Sequence, residues 1–496
     1  MQKTWTTFPV APERGAELLV ALRRAAGVPL RAQLEEAIRA AIRDGRLAPG
    51  ERLPSSRTLA TDLGVARGVV VEAYAQLTAE GWLTAEHGSG TRVSERALAE
   101  RTAVVPAAPA PTGARAPAGP SVTHGVAPGD PPVRWDFRPG LPDLAAFPRQ
   151  AWVAATRRVL AGLPAARLGY GDPAGTPELR AALAAYLGRV RGVLAAPDRV
   201  IVCTGFGQAL GLVAGVLADR GLDRMAVEDP LNQDEPSILA RAGLTPVPVP
   251  VDDLGLDVDA LAATGVRAAM LTPAHQFPTG VVLAPRRRAA LIDWARARDG
   301  LVVEDDYDAE YRYDRGPVGA VQGLDPERVA YAGSVSKTLA PALRLGWLVV
   351  PARMVADVAE TKRLADHGTS ALDQLVLADL LGSGAYDHHL RRTRRRHRAR
   401  RDLLAGTLAR LAPRVTVRGV AAGLHVVVEL PAGADEAAVT AEALAEGVRV
   451  YPMRGYRTGS AAVQPPALVL GYGGLALSEV GAGAERLGAV LSRAGS

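Results

Sequence analysis

Residues 333–346 read GSVSKTLAPALRLG and hold one of only three lysines in the chain, Lys3, Lys337 and Lys362, among 58 Lys plus Arg. Wherever this sequence needs a plain positive charge it uses arginine. A guanidinium stays protonated and cannot act as an amine nucleophile, whereas a desolvated lysine amine can lose its proton. The task that needs such an amine is Schiff-base formation with an aldehyde. Lys337 stands between Ser334, Ser336 and Thr338, just ahead of an apolar run. It is either a surface lysine that escaped the arginine bias or a residue kept for that chemistry, and the rest of the chain has to decide.

On both sides of this stretch, apolar strand-like runs alternate with Ala/Leu/Arg-rich helical stretches. RVIVCT (199–204), RMAVED (224–229), RAAMLT (267–272), GLVVED (300–305) and RVAYAG (328–333) are the strands. The alternation predicts an α/β domain with a mostly parallel sheet. Beyond Pro351 the pattern turns helical, and then 415–430 and 467–474 predict strands of a smaller α+β part.

At 496 residues the chain exceeds one ordinary domain, and about two to four are expected. A single cysteine, Cys203, excludes an internal disulfide and fits a reducing cytoplasm. No apolar targeting segment opens the sequence, and no run of about 18 apolar residues occurs, which argues against secretion and membrane spanning. A net charge of +6 permits nucleic-acid binding without demonstrating it. Residues 97–134 are Ala/Pro/Gly-rich and unpatterned, a linker between an N-terminal module at 15–96 and a large domain at 135–490. The large domain divides into 135–360 and 361–490.

In the module, a first amphipathic helix ends near Gly45. Ser55 or Ser56 caps a short helix, SRTLATDL, that stops at Gly64, and a third helix starts around Ala66. WLTAE and GTRV then flank a tight HGSG turn. Three helices and a β-wing make a winged helix-turn-helix. The block from Gly50 to Val93 resembles the GntR-type DNA-binding domain. The resemblance implies that Arg57 meets the DNA ahead of the recognition helix and that Arg67 and Gly68 lie at that helix's N-terminus. A bidentate Arg67 suits guanine readout there. His87 and Gly88 would form the wing tip. Ala66-Arg67-Gly68-Val69 departs from the usual Ser/Thr-rich start and removes hydroxyl contacts to phosphate.

Four stretches converge on Lys337. TGFGQAL (204–210) opens a helix with Gly205 and Gly207, which let backbone N–H groups approach an anion. TPAHQFPTG (272–280) is a Pro/Gly loop at a strand's C-terminal end, where ligands of open α/β sheets collect. VEDDYD (303–308) ends a strand in acids and a tyrosine, and the opening stretch adds Ser334, Ser336 and Arg344. In this order the motifs resemble fold-type I aminotransferases that depend on pyridoxal 5′-phosphate (PLP). The resemblance implies that Lys337 binds PLP covalently, that Asp305 pairs with its pyridine nitrogen and that Tyr307 hydrogen-bonds its phenolic oxygen. Gly205, Phe206, Gly207, Ser334, Ser336 and Arg344 would hold its phosphate, with Tyr170 lent across a dimer interface. Asp305 is preferred to Asp306 because Asp-x-Tyr spacing puts both groups on one side of a strand.

Three departures stand out. Phe277 replaces the asparagine usual in the HQFPTG loop, and Asn232 follows Pro230-Leu231 where an aromatic is common. Around Val469 the strand lacks the arginine that clamps a substrate α-carboxylate. A GntR-type reader joined to such a domain is the layout of the MocR family of bacterial regulators. Membership implies a homodimer, arranged head to tail with swapped DNA-binding domains, that binds promoter DNA and senses PLP or a PLP–amine adduct. No catalytic residue and no metal site is expected. An active aminotransferase carrying a DNA-binding domain is the alternative, and a large domain serving only as a dimerisation scaffold is a third reading. The helix 390–401, with eight arginines, is read first as a solvated connecting helix and second as an extra phosphate contact.

Overall fold

The computed structural model describes residues 29–43, 46–79, 82–86, 90–94, 132–308, 310–313, 319–458 and 465–493. The chain divides into two compact units, Met1–Arg115 and Ala116–Ser496. Most of the 97–134 linker lies outside the described residues.

The first unit holds α1 (Leu30–Arg43), α2 (Ser56–Leu63), α3 (Arg67–Ala79) and an antiparallel hairpin of β1 (Leu83–Glu86) and β2 (Gly90–Val93). Local chemistry sets α2. The Ser55 hydroxyl accepts from Thr58 N at 3.1 Å, and Gly64 ends the helix in the left-handed region at φ 61°. Leu34, Ile38, Leu59, Val70, Leu77, Leu83 and Val93 bury one shared core beneath these elements. Tyr74 donates to Pro54 O at 3.0 Å, which ties α3 to the segment ahead of α2.

In the second unit, β3 (Trp135–Asp136) precedes the large sheet. That sheet contains β4 (Val200–Cys203), β5 (Arg224–Asp229), β6 (Thr245–Asp252), β7 (Gly255–Leu256), β8 (Ala268–Leu271), β9 (Leu301–Asp305), β10 (Val329–Ser334) and β11 (Gly346–Val349). Its order is β4-β11-β10-β9-β8-β5-β6-β7. The run β10-β9-β8-β5-β6 is parallel, while β11 is antiparallel to both β10 and β4. Buried aliphatic side chains line both faces of the parallel strands, as expected when helices cover the two sides.

A second sheet is built from β12 (Thr416–Arg418), β13 (His425–Glu429), β15 (Tyr451–Pro452) and β16 (Ala467–Gly471), in the order β12-β13-β16-β15. β14 (Val448–Arg449) pairs with β3. A 27-residue helix, Ala385–Leu411, leads into this smaller part. Its arginines are partly committed: Arg400 and Arg396 bind Asp143 at 2.9 and 3.2 Å, and Arg394 donates to Glu310 O at 2.8 Å. Among the described residues, no helix is long and apolar enough to cross a membrane.

Candidate functional site

The C-terminal ends of β5 and β9, with the turn that follows β9, carry an unusual load of buried acid. Glu228, Asp305, Asp306 and Asp308 are all buried, and Glu235 joins them from the helix Asp234–Arg241. A buried carboxylate needs a partner. Glu228 has three, accepting from Thr272 N, Thr272 Oγ1 and Gln276 Nε2 at 3.0, 2.6 and 3.3 Å. Asp306 accepts from Arg191 and from Tyr331, both at 2.6 Å. Both of those bonds fall on Asp306 Oδ2; Asp306 Oδ1 and Asp305 Oδ1 are buried with no hydrogen-bond partner among the described residues. Burial and the neighbouring Asp306 charge push the Asp305 carboxyl well above the usual range, and Lys337 pulls it partly back. Of the adjacent pair, Asp306 is tied to the scaffold through Oδ2, and Asp305 has the Lys337 amine as its opposing charge.

Lys337 is half-buried in a tightly held segment. Val335 N donates to Leu345 O, Leu339 N to Val335 O, and the Tyr311 hydroxyl to Lys337 O at 3.3 Å. Its amine has no hydrogen bond or ion pair among the described residues. Burial lowers the amine below the ordinary lysine range, against the pull of Asp305 and Asp308. The chain 138–140 passes over it: a Cβ on Gly140, at φ +81°, would lie 3.2 Å from Lys337 Nζ. Lys362 has the opposite fate. It is fully buried and paired with Asp366 at 2.9 Å, beside Gln208.

On the far side of the pocket the helix Phe206–Asp219 begins at Gly205, which has φ 114° and no side-chain cap. Its N-terminal N–H groups therefore remain available to an anion. Arg344, itself left-handed at φ 49°, lays its guanidinium over this point, and a Cβ on Gly205 would come 3.3 Å from Nη2. Ser334 Oγ accepts from Ser336 N at 3.3 Å. Phe206 packs against the core, and Gly207 is exposed. Tyr170 is 97% exposed with its ring 6.1 Å from His367, at a cavity of about 160 Å³.

Tyr307 falls just past the end of β9, in a bend, so its direction comes from side-chain partners and not from strand alternation. Its hydroxyl lies 3.0 Å from His275 Nδ1, and the same nitrogen lies 2.9 Å from Asp308 Oδ2. His425, on β13, has its ring centroid 5.1 Å from that of His275 and donates through Nε2 to Pro278 O at 3.0 Å. The ligating atoms of His275, Asp308 and His425 lie within 4.8 Å of one another. Hydrogen bonds already account for the contacts of this trio. His275 and Asp308 belong to the HQFPTG and EDDYD motifs, but the sequence pattern points to their neighbours Phe277, Asp305 and Tyr307 instead. His425, more than a hundred residues away, carries no local signal.

The pocket fits PLP. A glycine-lined helix start with an arginine over it suits a phosphate, the unpartnered Asp305 suits a pyridinium nitrogen, and Lys337 presents a free amine between them. Phe277 packs with Val427, Met453, Tyr456 and Val469 into an apolar wall. In the first unit, Arg57, Arg67 and Gly68 are exposed, and Arg67 Nε reaches Ser56 Oγ at 3.5 Å. His87 and Gly88 lie outside the described residues.

Fold and motifs together define a GntR-type transcriptional regulator with an aminotransferase-like domain. Residues 30–93 match the gntR family of bacterial regulatory proteins, and residues 141–467 match aminotransferase class I and II. The chain belongs to the MocR-type regulators. It is 35% identical to the probable rhizopine catabolism regulatory protein MocR of Rhizobium meliloti over 462 residues, 92% of each chain. It is 32% identical to the pyridoxine biosynthesis regulator PdxR of Corynebacterium glutamicum over 418 residues, 83% of this chain and 86% of that one. Among solved structures, the α-aminoadipate aminotransferase LysN of Thermus thermophilus aligns with TM-score 0.64 and 28% identity, over 72% of this chain and 92% of that one. These regulator relatives favour a regulator over an active enzyme.

Proposed function

We propose that the second unit binds PLP and that the bound cofactor, or its adduct with a primary amine, alters the affinity of the first unit for promoter DNA. The observation that carries this reading is the buried Asp305 carboxylate, whose Oδ1 has no hydrogen-bond partner among the described residues, within electrostatic reach of the Lys337 amine that burial holds below the ordinary lysine range. In this reading Lys337 holds the cofactor covalently, and Asp305 keeps its ring nitrogen protonated. Gly205, Phe206, Gly207, Ser334, Ser336 and Arg344 surround its phosphate, and Tyr307 hydrogen-bonds its phenolic oxygen. When bound, PLP supplies an aldehyde that captures primary amines. LysN was solved with N-(5′-phosphopyridoxyl)-L-leucine, a ligand of that kind.

Arg57, Arg67 and Gly68, with His87 and Gly88, would read the DNA. The exposed Tyr170 supports a homodimer in which each chain completes the other's pocket, with the DNA-binding domains exchanged head to tail. The domain limits of 15–96 and 135–490 and a cytoplasmic location go with this proposal. The physical basis is linkage, since a ligand shifts DNA binding only by the difference in its affinity for the two states. Fluorescence anisotropy on the DNA upstream of the protein's own gene, with and without PLP, tests it. The reading requires a PLP-dependent affinity change that Lys337→Ala abolishes. Binding indifferent to PLP would refute it.

A further inference from the structure

Tyr307 and Asp308 approach the same nitrogen, Nδ1 of His275, at 3.0 and 2.9 Å. A carboxylate only accepts, so Nδ1 carries a proton and donates it to Asp308. A protonated Nδ1 cannot accept in turn, and the Tyr307 proton has to point elsewhere. Two acceptors compete for it: the Asp308 carboxylate, whose nearby charge, after burial, raises the Tyr307 hydroxyl, and the phenolic oxygen of a cofactor in front of Asp305 and Lys337. By occupying Asp308 with its own N–H, His275 releases the phenol for the second. We propose that His275 and Asp308 are a positioning pair that fixes Tyr307 as hydrogen-bond donor to the cofactor, and so sets the pH at which the bound chromophore titrates. This rests on the PLP reading above.

The pair is built to be rigid. Both side chains are buried, 3% and 2% exposed. Gly423, at φ +70°, presses directly on them: a Cβ there would fall 2.2 Å from His275 Cε1 and 2.5 Å from Asp308 Oδ2. Its carbonyl accepts from both Tyr313 and Tyr472 at 2.6 Å, which holds the loop down. Phe277, edge-on to Tyr307 at 6.0 Å, offers no competing hydrogen bond. The remaining ionisable groups facing Tyr307 come from four directions. Asp305 ends β9 and Asp308 lies in the turn beyond it, Glu228 lies at the end of β5 with its carboxyl pushed up to about 7 by burial, Lys337 follows β10, and His425 comes from β13. Burial, aided by the His275 ring, pushes His425 down to about 4 and keeps it neutral.

The test is a visible-absorbance pH titration of the full chain loaded with PLP. In His275→Phe, Asp308 is left unoccupied and takes the Tyr307 proton. The cofactor's phenolate then loses a charge-assisted donor, and the midpoint rises by about one to two pH units. Asp308→Asn removes the competing carboxylate, and the midpoint moves down. In a Tyr307→Phe background, His275→Phe has no further effect. Shifts in the same direction, or a full His275→Phe shift without the phenol, overturn the proposal. Nitrogen NMR of the cofactor-free protein supplies a second measurement: His275 should carry its proton on Nδ1, and an Nε2–H tautomer overturns the proposal whether or not PLP binds. Failure to take up PLP at all would instead defeat the cofactor reading.

Discussion

Asp305 and Asp306 are neighbours in sequence and both are buried, yet replacing them should have opposite consequences. Asp306 receives Arg191 and Tyr331 at 2.6 Å each. Asp306→Asn weakens the charged hydrogen bond from Arg191 and should cost about 1.5–3 kcal/mol of stability. Asp305 Oδ1 has no partner, and its carboxyl sits well above the usual range because of burial and the Asp306 charge. Without cofactor and above the ordinary aspartate range, Asp305→Asn should therefore stabilise the chain by about 1.4 kcal/mol for each pH unit by which burial raises the carboxyl, because the amide has no charge to desolvate. With cofactor the sign reverses. Loss of a hydrogen bond to a charged group, about 1.5–3 kcal/mol, weakens PLP binding roughly tenfold to hundredfold. The pH dependence follows from the raised value. The native state holds the Asp305 proton to higher pH than the unfolded chain, so stability falls as pH rises from the ordinary aspartate range up to the raised native value. Asp305→Asn removes that slope. Thermal melts of cofactor-free protein across pH, together with an absorbance titration with PLP, measure both halves. A variant that melts below the parent without cofactor, or binds PLP as tightly as the parent, would refute the assignment.

Gly140→Ala should hinder PLP loading at Lys337, because the new methyl lies 3.2 Å from Nζ at a left-handed φ of +81°; the visible absorbance of purified protein reads this directly. Ser55→Ala removes the cap of α2 and should lower the stability of the first unit by about 1 kcal/mol, seen in its melting transition. Arg67→Ala should cost about 1–3 kcal/mol on the cognate DNA and relax sequence preference, read by anisotropy against a scrambled duplex.

The parts of the fold that were legible are those set by neighbours in sequence. Ser55 and Gly64 bound α2 at 56–63 because cap chemistry is local. The apolar runs at 200–203, 224–229, 268–271, 301–305 and 329–334 became strands within a residue or so of their expected ends. The antiparallel β11 wedged between β10 and β4 was not legible, since sheet order is settled by pairing across more than a hundred residues. In the candidate site, lysine rarity alone fits Lys362 equally well; the motifs around Lys337 separate the two in the sequence, and the burial of Lys362 against Asp366 separates them in the structure. The motif HQFPTG was read for Phe277, yet its histidine makes the contact to Tyr307. A two-residue offset of this kind is invisible until the loop's turn is known.

Two departures from the aminotransferase pattern, noted separately in the sequence, are one feature in three dimensions. Phe277 stands where a hydrogen-bonding asparagine would meet the cofactor's oxygen, and Val469 where an arginine would clamp a carboxylate. Both pack into the same apolar cluster with Tyr456 and Met453. Restoring either polar group alone would bury it against that cluster without a partner, at a cost of about 1–3 kcal/mol. The two positions are therefore physically tied. The resulting wall takes one donor away from the phenolic oxygen and leaves Tyr307, held by His275 and Asp308, to supply it. It also withdraws the bidentate grip that orients an α-amino acid for turnover. On the proposed PLP reading, amine capture at Lys337 would survive both losses, because it would need only the aldehyde, the phosphate cradle and Asp305. A pocket that keeps capture and gives up orientation suits a regulator, whose output is a change in occupancy.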